Sequence, residues 1–254
     1  MKRNLCWLFL GCCLFQAGAA SANSANPSPF DGFYVGAEVG ANQAVFDQSR
    51  SVNASAEGLA NFTANQNFDA RAIAPIGGLL AGWGMTFNKL YLGLRLNGDL
   101  SYPQKSTSQT ITESIGNINL SSQTTAKLSN TYGATFVPGV LLSPNTLFYG
   151  LVGAEGSSLS VTSNNVSSIG GNSLTANGSE RKEVVGIRAG LGVEQYLAHH
   201  ISIGLEYDFT AYDSASTSTA TVGSFGGIPY QANATAKVTP FTNALLANIE
   251  FHFA

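Results

Sequence analysis

Residues 90–100 of this chain alternate strictly between apolar and other side chains. Leucine occupies five positions of one parity, whereas Arg95 and Asp99 lie on the other. Since successive side chains of a β-strand point to opposite faces, the pattern predicts a strand with one apolar and one polar face. The same alternation recurs along most of the chain, which is typical of a transmembrane β-barrel.

Eight such strands are predicted. They cover residues 33–46, 72–87, 90–102, 126–142, 147–159, 183–197, 201–212 and 236–253. Three pairs of them are joined by very short turns, at residues 88–89, 143–146 and 198–200. The remaining segments are long, similar in length and rich in Ser, Thr, Asn and Gly, and we expect them to be loops. They are residues 47–70, 103–125, 160–182 and 213–235.

This alternation of short and long connections favours a bacterial outer-membrane barrel, whose periplasmic turns are short and whose extracellular loops are long. We therefore predict an all-β fold: an eight-stranded antiparallel up-and-down transmembrane β-barrel with three short periplasmic turns and four long extracellular loops. An even number of strands places both chain termini on the periplasmic side.

The first residues have the pattern of a cleavable secretory signal peptide. Two basic residues precede an apolar run that is too short for a membrane-spanning helix, and small residues follow up to Ala22. We therefore expect residues 1–22 to be removed and residues 23–254 to form the barrel domain. The predicted location is the bacterial outer membrane.

All three cysteines, Cys6, Cys12 and Cys13, lie in this leader. After its removal, the mature chain has neither a disulfide framework nor a thiolate metal site. Cys12 and Cys13 leave a lipoprotein leader open as an alternative.

The full chain carries a formal net charge of −3 and has no basic patch, so we expect no nucleic-acid partner.

The leader, the eight strands, the three tight turns and the final Ile249–Phe253 stretch together resemble the small eight-stranded outer-membrane barrels of the OmpA-like and opacity-type surface protein families. The stretch from Phe33 to Ala41 is similar to their first strand. In these families an aromatic residue at the last position helps the assembly machinery to recognise the final strand. Here Phe253 is followed by Ala254, a departure that concerns assembly and not the fold.

If the leucine-bearing face of each strand contacts lipid, the opposite, charged face lies inside the barrel. Glu155 lies on a strand of less regular alternation, and we expect it inside as well, because a carboxylate near lipid is costly. The predicted luminal charge network consists of Glu38, Arg95, Asp99, Arg188, Glu194, Glu206, Asp208 and Glu250, with His252 on the same face.

Buried charges in such a narrow lumen have to be paired, because an unpaired one is costly. We therefore expect Arg95 and Arg188 to be the hubs of the network. The number of residues between a position and the nearest tight turn estimates its depth along the barrel. On this count, Glu38, Glu194 and Glu206 are the predicted partners of the two arginines.

The histidines do not indicate catalysis. His199 and His200 lie in a turn, and His252 is beside Glu250, where a structural hydrogen bond is the expected role. No third ligand accompanies the adjacent pair, so we expect no metal site there. We predict no enzymatic activity, no catalytic residues, no metal and no cofactor.

Three functions remain open. The first is a monomeric outer-membrane barrel, surrounded by lipid, with a structural and adhesin-like role in which its loops bind an extracellular ligand, a host surface or a phage. The second is a narrow channel gated by exchange of partners in the Arg95 and Arg188 network. The third is a secreted soluble β-barrel with its faces reversed, which would bind a small apolar ligand.

Overall fold

The computed structural model describes residues 28–56, 62–113, 118–169, 172–225 and 228–253. The signal peptide predicted for residues 1–22 lies outside these ranges. Within them, no helix has the length and apolar character needed to cross a membrane.

The described residues form ten β-strands in one antiparallel sheet. They are β1 (Gly32–Ala56), β2 (Phe62–Phe87), β3 (Leu90–Ser101), β4 (Gln104–Glu113), β5 (Ile118–Ser143), β6 (Thr146–Ile169), β7 (Asn172–Ala198), β8 (Ile201–Tyr212), β9 (Ala215–Phe225) and β10 (Ile228–His252).

Eight of these strands close into a ring. The order is β1, β2, β3, β5, β6, β7, β8 and β10, and β10 pairs with β1 from Tyr34–His252 to Ala56–Tyr230. The ring leaves no unpaired sheet edge, because every strand has a neighbour on both sides. The eight-stranded antiparallel barrel predicted from the sequence is confirmed.

The tight turns define one end of the ring, called here the turn end, and the opposite end is called the hairpin end. The turn between β2 and β3 has Asn88 at a φ of 60°. Asparagine tolerates this left-handed conformation, which two-residue hairpin turns require.

The wall of the ring has the two faces that the leucine pattern predicts. On β3, Leu94 is 62% exposed on the outside, whereas Arg95 is 3% exposed on the inside. Glu155 is buried inside as well. The alternative of a soluble barrel with its faces reversed is wrong, since the leucines point outward and the charges inward.

The four segments expected to be loops are largely strands instead. On β1, β2, β6 and β7 they continue the ring strands in unchanged register: for example, the β1–β2 ladder runs from Gly32–Gly84 to Ala54–Phe62. β4 and β9 begin after short breaks that follow β3 and β8, and the β5–β6 ladder shifts its register between Ser129 and Thr131. Thr and Val suit strands, and antiparallel pairing satisfies the backbone groups that a loop would leave to water. The described residues of 47–70, 103–125, 160–182 and 213–235 thus form paired β-strands, and we call this part of the wall the hairpin extension.

The hairpin extension is not a closed ring. β4 pairs only with β5 and β9 only with β10, and no ladder joins β2 to β4 or β7 to β9 in the described pairings. The wall therefore divides above the ring into two four-stranded sheets, β2-β1-β10-β9 and β4-β5-β6-β7. Two seams without backbone ladders separate them.

The outer face of the wall changes from apolar to polar between the ring and the hairpin extension. The extension carries exposed polar side chains such as Asn67, Ser108 and Asn233, whereas an apolar cluster fills the lumen where the ring and the extension meet. The members of this cluster are Ala44, Phe46, Ala70, Ala126, Leu128, Leu159, Val161, Val184, Tyr212, Ala215 and Val238. The ring is thus built for an apolar surrounding and the extension for water.

The apolar cluster should stabilise the hairpin extension. Leu128 is 1% exposed in the cluster, so Leu128→Ala leaves a cavity and should lower the free energy of unfolding by about 2–5 kcal/mol. The measurement is urea unfolding of the protein refolded in lipid vesicles. Val222→Ala is the control, because Val222 is 73% exposed on the same extension and should change little. Equal effects of the two substitutions would contradict the apolar packing.

Candidate functional site

The interior of the ring is layered. An apolar and aromatic layer lies at the turn end, the charged residues lie in the middle, and the apolar cluster of the hairpin extension lies beyond them. We call the middle layer the charged layer.

The turn end is filled by side chains from the wall and by one from outside it. Phe30, in the turn that precedes β1, is completely buried beside Val137, Leu147 and Tyr149. The residues before the first strand therefore close the mouth of the ring at this end.

Two of the inward tyrosines have room because a neighbouring strand carries glycine. A Cβ on Gly82 would lie 2.3 Å from Cζ of Tyr34, and a Cβ on Gly192 would lie 2.3 Å from Cζ of Tyr149. These glycines let both phenol rings lie across the lumen.

Arg95 occupies the centre of the charged layer. Its Nη1 donates to Oε2 of Glu206 at 2.6 Å, and its Nη2 donates to Oε1 of Glu250 at 3.1 Å. Its Nε donates to the hydroxyl of Tyr34 at 3.3 Å, and the ring of Tyr149 lies 5.3 Å from the guanidinium carbon. Every nitrogen of this guanidinium therefore has a protein partner, and its carbon lies over the rings of Tyr34 and Tyr149, within cation–π distance.

Arg188 pairs with the carboxylates on the other side of the layer. Its Nη2 donates to Oε1 of Glu206 at 3.0 Å and to Asp208, and its Nη1 lies 3.5 Å from Oε2 of Glu155. Glu155 also accepts hydrogen bonds from the hydroxyls of Tyr212 and Thr210.

Glu206 connects the two arginines, because each of its carboxylate oxygens accepts from a different guanidinium. The hydroxyl of Tyr149 adds a third hydrogen bond at 2.9 Å. One fully buried carboxylate thus holds β3 and β7 at fixed positions across the lumen. Charge-assisted hydrogen bonds of this kind are the strong ones.

The structure places all eight residues of the predicted network in the lumen, each at most 4% exposed. Glu206 is a partner of both arginines, as predicted, but Glu38 and Glu194 are not partners of either. Depth counted from the turns failed because barrel strands are tilted and staggered, so equal counts on different strands do not lie at equal heights. The additional arginine partners are Glu155, Asp208 and Glu250.

Glu38 and Asp99 form the part of the layer that has no arginine. They flank Gly78 on β1 and β3, and Oδ1 of Asp99 lies where a side chain of Gly78 would be. Asp99 accepts from Asn97 at 2.6 Å, while its Oδ1 and Oε1 of Glu38 have no hydrogen-bond partner.

A small cavity of about 20 Å³ lies between Asp99 and Arg188. This volume is enough for about one water molecule. The charged layer is therefore packed rather than open.

The network also contains buried tyrosines that were not predicted from the sequence. Tyr34 and Tyr149 share the inward parity of their strands, and this parity was the signal that could have identified them. Phe30 precedes the first strand and has no periodicity, so no signal in the sequence places it in the lumen.

Comparisons with known proteins agree on the class of protein. The model of the family described as outer membrane protein beta-barrel domain matches residues 11–225. No curated protein matches the sequence.

Similar solved structures include Ail, the attachment invasion locus protein of Yersinia pestis, at 12% identity and a TM-score of 0.30, with 79% of this chain and 98% of that chain covered. OprG from Pseudomonas aeruginosa has 12% identity and a TM-score of 0.41, with coverage of 87% and 97%. The outer membrane protease OmpT from Escherichia coli has 8% identity and a TM-score of 0.39, with coverage of 87% and 99%.

The arginine pairs should contribute strongly to stability. Arg95→Met leaves Glu250 without its arginine and Glu206 with Arg188 alone, and the loss of one partner of a buried pair should cost about 3–5 kcal/mol of unfolding free energy. The measurement is again urea unfolding in vesicles. Arg71→Met, at an exposed position on the same barrel, should stay within about 0.5 kcal/mol of the parent. A comparable effect of both substitutions would refute the network's role in stability.

Proposed function

The chain belongs to the outer membrane β-barrel family, and we propose that it is a closed, non-enzymatic barrel whose hairpin extension is an interaction surface outside the cell. As a member of this family, it is located in the bacterial outer membrane. The observation that carries the proposal is the apolar cluster, which fills the hairpin end of the lumen and stiffens the hairpins above it.

The change in surface polarity supports the orientation. The outer face of the ring presents Leu79, Leu94 and Ile187, each more than 60% exposed, as expected of residues that contact lipid. The extension presents hydroxyl, amide and charged side chains instead. We therefore place the hairpin extension in the extracellular medium and the tight turns in the periplasm.

The proposed role is recognition by a sheet surface, not by flexible loops. Paired strands hold the exposed Ser, Thr and Asn side chains in fixed rows, which suits hydrogen bonding to a polar extracellular ligand, a host surface or a phage. The proposed assembly is a monomer, because the ring of the barrel closes within one chain.

The packed lumen favours a closed barrel over a gated channel. An ion passing through would have to cross the apolar cluster at one end and the layer around Phe30 at the other. Exchange of partners between Arg95 and Arg188 would leave both layers in place.

Catalysis is disfavoured for a similar reason. An enzyme needs a nucleophile and an acid or base in an accessible cleft. His252 is 1% exposed beneath Phe30, and His199 and His200 lie at a tight turn.

Planar-bilayer recording tests the closed barrel. Refolded protein, Arg95→Ala and Arg71→Ala should all show no resolvable conductance steps, because the apolar cluster stays in place in each. Steps in the parent protein that change in size with Arg95→Ala but not with Arg71→Ala would establish the channel instead.

Single cysteines test the orientation, and the three native cysteines all lie within the predicted leader. On whole cells, a membrane-impermeant maleimide should label Ser108→Cys and Ser218→Cys, both exposed on the extension. Lys89→Cys and Asn145→Cys, exposed at two tight turns, should react only after the outer membrane is opened. Labelling of the turn positions on intact cells would overturn the proposed orientation.

A further inference from the structure

On its turn-end side the charged layer contains a second cluster, formed by Glu194 on β7 and by Glu250 and His252 on β10, of which Glu250 also pairs with Arg95. One ligand atom of each residue lies within 4.8 Å of those of the other two. Nε2 of His252 is 3.1 Å from Oε1 of Glu194, and all three residues are at most 3% exposed. The sequence predicts only a structural hydrogen bond for His252, beside Glu250; Glu194 lies far from both along the chain.

The charge of the lumen is the second observation. Seven carboxylates are buried in the described lumen, the six acids of the predicted network and Glu155, against three guanidiniums: those of Arg95 and Arg188 in the charged layer and that of Arg50, which bonds Thr124 farther toward the hairpin end. The arginines pair with four of these carboxylates, and Glu194 has no cation near it except the imidazole of His252. Such an excess of buried negative charge favours uptake of a cation, because uncompensated buried charges are costly.

The types of donor indicate which cation. One imidazole nitrogen and two carboxylate oxygens are a ligand set of Zn²⁺, which accepts nitrogen and oxygen donors and leaves a fourth position for water. Ca²⁺ and Mg²⁺ prefer sites made of oxygen only, with more ligands. Ser202 lies 2.5 Å from Glu194 and 2.9 Å from His252, where its hydroxyl can orient the ligands from outside the coordination shell.

We propose that the turn end of the lumen binds one Zn²⁺-like divalent cation through Glu194, Glu250 and His252. The ring of Phe30 lies 5.8 Å from that of His252 and covers the site on the periplasmic side. His252 and Phe30 are packed too tightly for a substrate, so the ion acts as a structural link between β7 and β10. The alternative is a direct imidazolium–carboxylate pair between His252 and Glu194 that takes up no metal.

Zinc titration of the refolded barrel in detergent micelles, against a chromophoric chelator, distinguishes these possibilities. The parent for the experiment carries His199→Ala and His200→Ala, which removes the adjacent imidazoles of the turn as a second zinc-binding group. We expect this parent to bind one equivalent of Zn²⁺. Adding Glu194→Gln should weaken binding at least about tenfold, because a direct ligand is lost. Glu155→Gln, in the arginine pairs but outside this cluster, is the control and should bind like the parent.

Cobalt provides a readout that does not depend on a variant folding. Co²⁺ bound to the same parent should give the intense visible absorption of a four- or five-coordinate site, and Zn²⁺ should displace it. No uptake of either metal by the parent, or equal affinity of the parent and Glu194→Gln, would overturn the proposal. Because zinc binding and conductance are measured separately, the closed-barrel proposal can fail without affecting this one.

Discussion

The pairing of β1 with β10 closes the sheet, and the other features of the molecule depend on this closure. In a membrane, each backbone amide and carbonyl needs a partner from the protein, and only a ring of strands gives that to a sheet. Closure also assigns the two faces of each strand, one to lipid and one to the lumen. The charges of the inward parity are therefore buried, whatever their own preference for water.

A ring of eight strands encloses little space, and side chains fill it. The buried charges are tolerated because they are grouped: Glu206 shares its two oxygens between Arg95 and Arg188, and hydroxyls of tyrosine and threonine complete the hydrogen bonds. Apolar layers on both sides keep water away from this layer, which strengthens its electrostatic interactions. The plug of the barrel is thus one packed unit that extends from Phe30 to the hairpin extension.

The sequence predicts the ring well because lipid imposes a pattern that is readable strand by strand. The alternation at Leu94 and Arg95, and the cost of placing Glu155 in lipid, were sufficient to assign both faces. Pairing inside the lumen was harder to predict. It depends on how far each strand is shifted along its neighbour, and the spacing of residues in the sequence does not reveal that shift. Glu38 and Glu194 were therefore predicted to pair with the arginines, although they are partners of neither.

The hairpin extension was misread for a different reason. Ser, Thr and Asn are common in loops, and composition masked the inward, apolar positions of Ala70 on β2 and Val161 on β6. Once the strands leave the membrane, water replaces lipid and the outer face becomes polar. A strand whose outer face changes in this way along its length does not match a lipid-facing template.

The length of the strands has a mechanical consequence. Force applied at Ala56, the outer end of β1, passes along β1 into its ladder with β10, which runs unbroken from Ala56 to Tyr34. The hydrogen bonds of that ladder are then loaded together along the strand direction, rather than opened one after another. A flexible segment between Ala56 and the ring would stretch first and leave the ring without load, whereas this strand carries tension directly into the membrane.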